Sequence, residues 1–240
     1  MTRDSLLRLG GLAAMAAGVL FVVIQPLHPS ETLASVTTST WALVHYATLA
    51  MTVLFVAGIA GVYARQVEET GWLGFAGFAL LALGLANTAG FAFVEAFIQP
   101  LLAESEPEFV IGLLAIVSGS ERTMDMGLLP ALWVASSIFF PAGCLVFGVA
   151  VMRAGVLSRW AAGVFAFGLP LAVIVVSLLP FDLHRWGAVP IGIGLAWLGF
   201  GLWAERGGRS SSQPTGWGCA VATVLDARNQ RGVRWAGFSR

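Results

Sequence analysis

The sequence predicts an all-α membrane protein, a polytopic bundle of six spanning helices. Three observations carry that prediction. The 240-residue chain is 58% hydrophobic and 11% charged, whereas an ordinary soluble domain is about 45–50% apolar and about 25% charged. Six apolar runs reach the roughly 20 residues that a helix rising about 1.5 Å per residue needs to cross a bilayer. All thirteen basic residues are arginines, and they gather between alternate runs.

The runs fall at about 6–26, 40–64, 71–99, 126–152, 159–180 and 186–205. The first follows Arg3 and Arg8. It stays apolar for too long, and lacks the small-residue cleavage site, to read as a signal peptide. The second closes on Gly61, Tyr63 and Arg65, the fourth on Gly148, Met152 and Arg153, and the sixth on Gly201, Trp203 and Arg206. The odd runs open on Gly10 and Gly11, on Trp72 and Gly74, and on Trp160 and Gly163. This recurrence predicts three helical hairpins in a row, with small residues letting neighbouring backbones approach.

Charge sets the expected orientation. Eleven of the thirteen arginines (Arg3, Arg8, Arg65, Arg153, Arg159, Arg206, Arg209, Arg228, Arg231, Arg234 and Arg240) fall on one side, and only Arg122 and Arg185 on the other. The positive side faces the cytoplasm, so both termini are expected inside, in the cell (inner) membrane. The opposite loops are acidic, with Glu31, Glu104, Glu106, Glu108, Glu121, Asp125 and Asp182.

The connection at 100–125 is the longest. Ser105, Glu106, Pro107 and Glu108 form a helix start. The apolar residues 109–118 are too few to span, so they read as a short interfacial helix over the outer mouth of the bundle. Residues 1–206 form the expected bundle. Residues 207–240, which begin Gly-Gly-Arg-Ser-Ser-Ser, are expected to form a mostly disordered, arginine-rich cytoplasmic tail.

Composition also bears on function. The formal net charge is zero, which gives no reason to expect a nucleic-acid partner. Cys144 sits in an apolar run and Cys219 in the polar tail, so no disulfide or thiol-pair redox site is expected. With no lysine in the chain, Schiff-base chemistry is excluded.

Polar residues inside apolar runs are costly, about 2.5 kcal/mol or more for an ionised carboxylate, and so mark function by default. Glu95 is such a residue. Helical spacing puts Thr88, Phe91, Ala92, Glu95 and Gln99 on one face. Its bland reading is a snorkelling acid; its sharper reading is a desolvated acid that can donate a proton. His45 lies about one turn inside the second run, on a stripe with Trp41, Thr48 and Thr52, beside Tyr46. A hydrogen bond between His45 and Glu95 would satisfy both groups. His28 closes the first run, and Asp125 opens the fourth, with Trp133, Ser136, Ser137 and Phe140 below it. Asp182, His184 and Arg185 form the last outer turn. All three histidines and Glu95 therefore belong to one half of the membrane.

Three functions compete for this constellation. A metal or haem site is disfavoured, because the histidines lack local ligand spacing. A transporter fits the helix number and the proline breaks at Pro141, Pro170 and Pro190. It conflicts with the apolar half nearer the arginines. An enzyme acting on a lipid-soluble substrate fits an acid among aromatics, because aromatic faces stabilise cations. In that reading Glu95 is the general acid, and His45 or Asp125 its partner. Trp41, Tyr46, Phe91, Gln99, Trp133, Ser137, Phe140 and His28 form the substrate pocket. The chain holds sixteen phenylalanines and nine tryptophans, although aromatic belts and packed cores would account for rings as well.

Residues Trp41 to Tyr46, Gly61 to Glu69, and Gly71 to Gly74 resemble segments of a broad set of multipass, six-helix bacterial membrane proteins. The resemblance covers residues 1 to about 206 and stops at the tail. It implies the fold and no activity. In size, helix number and the pairing of an intramembrane acid with aromatics, the chain is also similar to small integral membrane terpene cyclases. That likeness implies a membrane-embedded, acid-catalysed terpene or prenyl-group cyclase with Glu95 as proton donor. The alternative is a transporter or small-ligand-binding membrane protein. The expected partners are the lipid bilayer and a hydrophobic small molecule; no nucleic acid, cofactor or metal is expected, and the oligomeric state stays open.

Overall fold

The computed structural model describes residues 2–122, 124–176 and 186–205, with the backbone alone for 169–176. Every described regular element is helical. Helix α1 spans Arg3–Leu27, α2 Leu33–Val36, α3 Ser39–Arg65 and α4 Val67–Phe93. A π-helical turn, Val94–Ile98, continues α4 into α5, Gln99–Leu102. Helices α6 (Pro107–Ser118), α7 (Leu129–Ala154), α8 (Arg159–Val176) and α9 (Val189–Ala204) follow.

Local signals set the ends. The Thr2 hydroxyl accepts from Ser5 N–H at 3.2 Å, and the Thr38 hydroxyl accepts from Trp41 N–H at 3.2 Å. Each closes the first turn of its helix, where N–H groups lack intrahelical partners. Helix α6 starts at Pro107, whose missing N–H costs nothing there, and stops at Gly119 in the left-handed region. Gly155, with φ +66, ends α7 in the same way. Gly71 interrupts α4 at φ +53 and ψ −146, a conformation that favours glycine. The regular run therefore begins at residue 72, beside the expected start at 71.

Five helices among the described residues are long and apolar enough to cross a membrane: Arg3–Leu27, Ser39–Arg65, Val67–Leu102, Leu129–Ala154 and Trp186–Ala204. The chain is thus a multipass membrane protein by helix length and hydropathy. Six spans are not shown. The expected span at about 159–180 appears as the helix Arg159–Val176, and its last residues lie outside the described ones. So do the turn with Asp182, His184 and Arg185, and the expected tail at 207–240. The short helix expected within 100–125 is α6, which buries Val110, Leu113, Leu114 and Ile116. The four-residue α2 is an element the sequence reading did not anticipate.

The long helices close a ring in which α1 packs on α3, α3 on α4, α4 on α7, α7 on α8, α8 on α9, and α9 back on α1. Phe55, Ile59, Val62, Leu81, Phe147, Phe165 and Leu195 fill its interior. Hydrophobic driving force is weak between helices in lipid, so close van der Waals contact has to hold the ring together. A Cβ added at Gly58 would lie 2.6 Å from Ala14 Cα, and one at Gly77 would lie 2.4 Å from Phe147 N. At the expected hairpin openings, Gly10 meets Gly61 and Gly11 meets Gly199 and Trp203. Gly163 differs: among the described residues it meets only Met152 Sδ, at 3.8 Å.

Candidate functional site

Pro100 explains the local geometry around Glu95. In the π turn Gln99 N–H reaches back five residues to Val94 O. The next bond of that pattern would run from residue 100 to Glu95 O. Proline has no N–H, so it cannot form. The Glu95 carbonyl is taken instead by Trp41, whose indole N–H donates to it at 2.8 Å. Trp41 is fully buried, and its body is held between α2, α5 and α6 by Val36, Ala103, Val110 and Leu114. A buried backbone carbonyl without a partner is costly, so this contact ties the π turn to α3.

The same turn brings Glu95 to His45. Glu95 Oε2 lies 3.3 Å from His45 Nε2. His45 is 1% exposed and Glu95 8%. The second ring nitrogen, Nδ1, lies 2.7 Å from Trp41 O. A carbonyl only accepts, so Nδ1 carries a hydrogen and donates it; this fixes the tautomer and turns Nε2 toward the carboxyl. The pair can hold one proton in two ways, as carboxylic acid and imidazole or as carboxylate and imidazolium. The indole of Trp41 lies against the His45 ring, with centroids 4.3 Å apart.

His28 joins this cluster from the end of α1. Its ring meets His45 edge-on at 5.1 Å and Trp41 at 6.2 Å. His28 Nδ1 lies 2.8 Å from Pro29 O and 3.8 Å from Glu31 Oε1. Glu31 enters the sequence reading only as a loop acid. Its spacing of three residues from His28 was the available signal. Gln99 is buried beside the π turn, and its Oε1 has no hydrogen-bond partner among the described residues.

The other expected residues divide between different places. Thr88, Phe91 and Glu95 do not act as one stripe. Thr88 Oγ1 lies 3.2 Å from Ser136 Oγ on α7, and Phe91 meets Trp133 of α7 edge-on at 4.9 Å, while Glu95 turns to α3. The stripe straddles two neighbouring helices, and the π turn shifts the register that a regular helix would have continued. Tyr46 is exposed and its ring packs on Phe97 at 5.1 Å. Asp125 is exposed, and its carboxylate accepts from Gly127 N–H at 2.9 Å, which closes a local turn.

Two cavities flank α4 and α7. One of about 230 Å³ is lined by Thr88, Trp133, Ser136, Ser137, Phe140 and Pro141. One of about 320 Å³ lies between α4, the π turn, α6 and α7, and its wall includes Phe91, Val94, Ile98, Phe109 and Leu113. Its volume lies at the small end of ligand pockets, which start at about 300 Å³. Neither lining includes Glu95 or His45. However, Val94 and Ile98 belong to the turn that carries Glu95, so the larger cavity and the acid share a wall. Among the described residues no three His, Cys, Asp or Glu side chains come together as a set of metal ligands.

Comparison with protein-family models, curated proteins and solved structures returns no match for this chain.

Proposed function

We propose that this protein is a membrane-embedded enzyme in which Glu95 gives a proton to a lipid-soluble substrate, and that the reaction is cyclisation of a terpene or prenyl group. The observation that carries this reading is the His45–Glu95 pair, buried at 3.3 Å and held by two hydrogen bonds through Trp41. An acid in a protein interior acts well when its partner and orientation are fixed beforehand. π turns recur at functional sites, and here Glu95 lies inside one.

The chemistry is balanced within one substrate. The Glu95 carboxyl protonates a carbon–carbon double bond, and its O–H electrons remain on the carboxylate. A second double bond attacks the resulting cation and forms the ring bond. A proton then leaves the cyclised cation to a base, and the Glu95 carboxylate and His45 Nε2 are the candidates for it. The product is an isomer of the substrate. The larger cavity gives an apolar chain a place beside the π turn, and Phe91 and Phe109 in its wall supply aromatic surface for the cation. Between the two partners considered for Glu95, His45 is favoured by contact, while Asp125 serves its own turn.

The same proposal includes six spans with both termini cytoplasmic, a cytoplasmic tail from 207, and a site in the outer half of the inner membrane. These rest on the distribution of arginines. The transporter alternative is less well supported: the interior near Arg65, Arg153 and Arg159 is filled by Ile59, Val62, Phe147, Val151 and Leu202. The test is incubation of membranes containing the protein with prenylated indoles and phenols, followed by mass spectrometry. A new product of unchanged mass supports cyclisation. Vectorial uptake of such a compound without isomerisation would favour the transporter.

A further inference from the structure

We propose that the smaller cavity, between α4 and α7, binds the hydroxyl-bearing end of the lipid-soluble ligand whose chain occupies the larger one. This rests on the reading of a lipid-soluble substrate, and it assigns a polar subsite that the cyclisation chemistry leaves unused. The two cavities share a seam. On α4, Asn87 lines the larger and Thr88 the smaller; on α7, Leu132 lines the larger and Trp133 the smaller. Phe91 of the larger meets Trp133 of the smaller edge-on, with ring centroids 4.9 Å apart. The larger cavity offers a ligand little polarity, since its one polar side chain, Asn87, spends an N–H on Leu132 O at 2.6 Å. Ser137 is exposed, so the smaller cavity opens on the outside of the bundle, where a ligand dissolved in the bilayer arrives.

The chemistry of the smaller cavity suits a hydroxyl. A serine or threonine side chain has one hydrogen to donate. Thr88 Oγ1 and Ser136 Oγ lie 3.0 and 3.2 Å from Gly84 O and 3.2 Å from each other, so both hydrogens stay within this trio. Ser137 gives its hydrogen to Trp133 O at 3.0 Å. The three hydroxyls therefore have only lone pairs left. Pro141 adds a further acceptor: it has no N–H, so Ser137 O lacks the donor that a regular helix supplies. Ser137 and Pro141 both line the cavity, one helical turn apart. The side-chain donor left in that lining is the Trp133 indole N–H, which has no hydrogen-bond partner among the described residues. Several acceptors beside one donor match a hydroxyl, which gives one hydrogen bond and takes another. The rival is a purely structural role, in which the hydroxyls bond back to their own helices and a lipid acyl chain fills the gap. An acyl chain gains nothing from the lone pairs.

Competition binding to the full-length protein in lipid nanodiscs separates the two, with partition into empty nanodiscs subtracted. The probes are ortho-geranylphenol and its methyl ether, which keeps the chain and the ring and has no O–H to donate. Wild type should bind the phenol about tenfold more tightly than the ether, the scale of one hydrogen bond. Pro141→Ala returns an N–H to Ser137 O and should reduce that ratio severalfold; adding Thr88→Val and Ser137→Ala should abolish it. Equal affinity for both probes in wild type would overturn the subsite, as would a full ratio in the combined variant. Should the combined variant fail to fold, an undiminished ratio in Pro141→Ala overturns it. Gly90→Phe, which fills the larger cavity, should weaken both probes and keep their ratio; unchanged affinities would overturn the shared ligand. The measurement reads no turnover. Equal turnover in wild type and Glu95→Gln would defeat the acid reading and leave this result standing.

Discussion

The indole N–H of Trp41 donates to the backbone carbonyl of Glu95 at 2.8 Å, across fifty-four positions of sequence. It links α3 to the π turn at the point where Pro100 withholds the intrahelical donor. Trp41→Phe removes that N–H together with the five-membered ring that carries it, so a small cavity adds to the loss at this fully buried position. A buried carbonyl left unpaired costs about 1–3 kcal/mol. The thermal unfolding temperature in detergent should fall accordingly, and turnover should fall further than stability because Glu95 loses its anchor.

Pro100→Ala should act in the opposite direction on the backbone. It restores an N–H and lets the segment relax toward a regular helix. Helical content by circular dichroism should be unchanged or slightly higher. Cross-linking of a His45→Cys, Glu95→Cys pair by a short thiol reagent should drop when Pro100→Ala is added, since the two helices are no longer held in register.

Glycine substitutions should divide by contact. At Gly77 a Cβ would lie 2.4 Å from Phe147 N, in backbone. Gly77→Ala should destabilise by about 1–3 kcal/mol or more. Gly163→Ala, which among the described residues faces only Met152 Sδ at 3.8 Å, should leave the unfolding temperature unchanged or raise it. Gly71→Ala should cost about 1–3 kcal/mol despite empty space around it, because φ is +53.

Gly90 tests the larger cavity. It lines that cavity, and among the described residues nothing lies within 4 Å of the position of its absent Cβ. Gly90→Phe should fold and fill the space. Turnover of a prenylated substrate should fall severalfold while that of a shorter-chain analogue falls less. Equal losses for both chain lengths would remove the cavity from the account.

The spans were largely legible in the sequence, because a bilayer demands length and apolarity that composition reports directly. Helix α6 was legible for a similar reason: Pro107 and Gly119 bracket a run too short to cross. The meeting of His45 and Glu95 was anticipated from their depth alone. The π turn was not, since its cause is one missing N–H at Pro100 and its compensation comes from Trp41, distant in sequence. The assumption of a regular helix placed Thr88, Phe91 and Glu95 on one working face, whereas they serve two neighbours. Glu31 and Asp125 look alike in sequence as loop acids. Only the fold tells that one meets a histidine and the other caps its own turn.

The most direct test is turnover of an identified prenylated substrate by wild type and Glu95→Gln, purified side by side and matched for folded protein. Glutamine preserves the shape and cannot donate a carboxyl proton. The account predicts a loss of about 10²-fold or more in Glu95→Gln, the scale of general-acid catalysis, with partial activity in Glu95→Asp. Equal turnover in wild type and Glu95→Gln would contradict it.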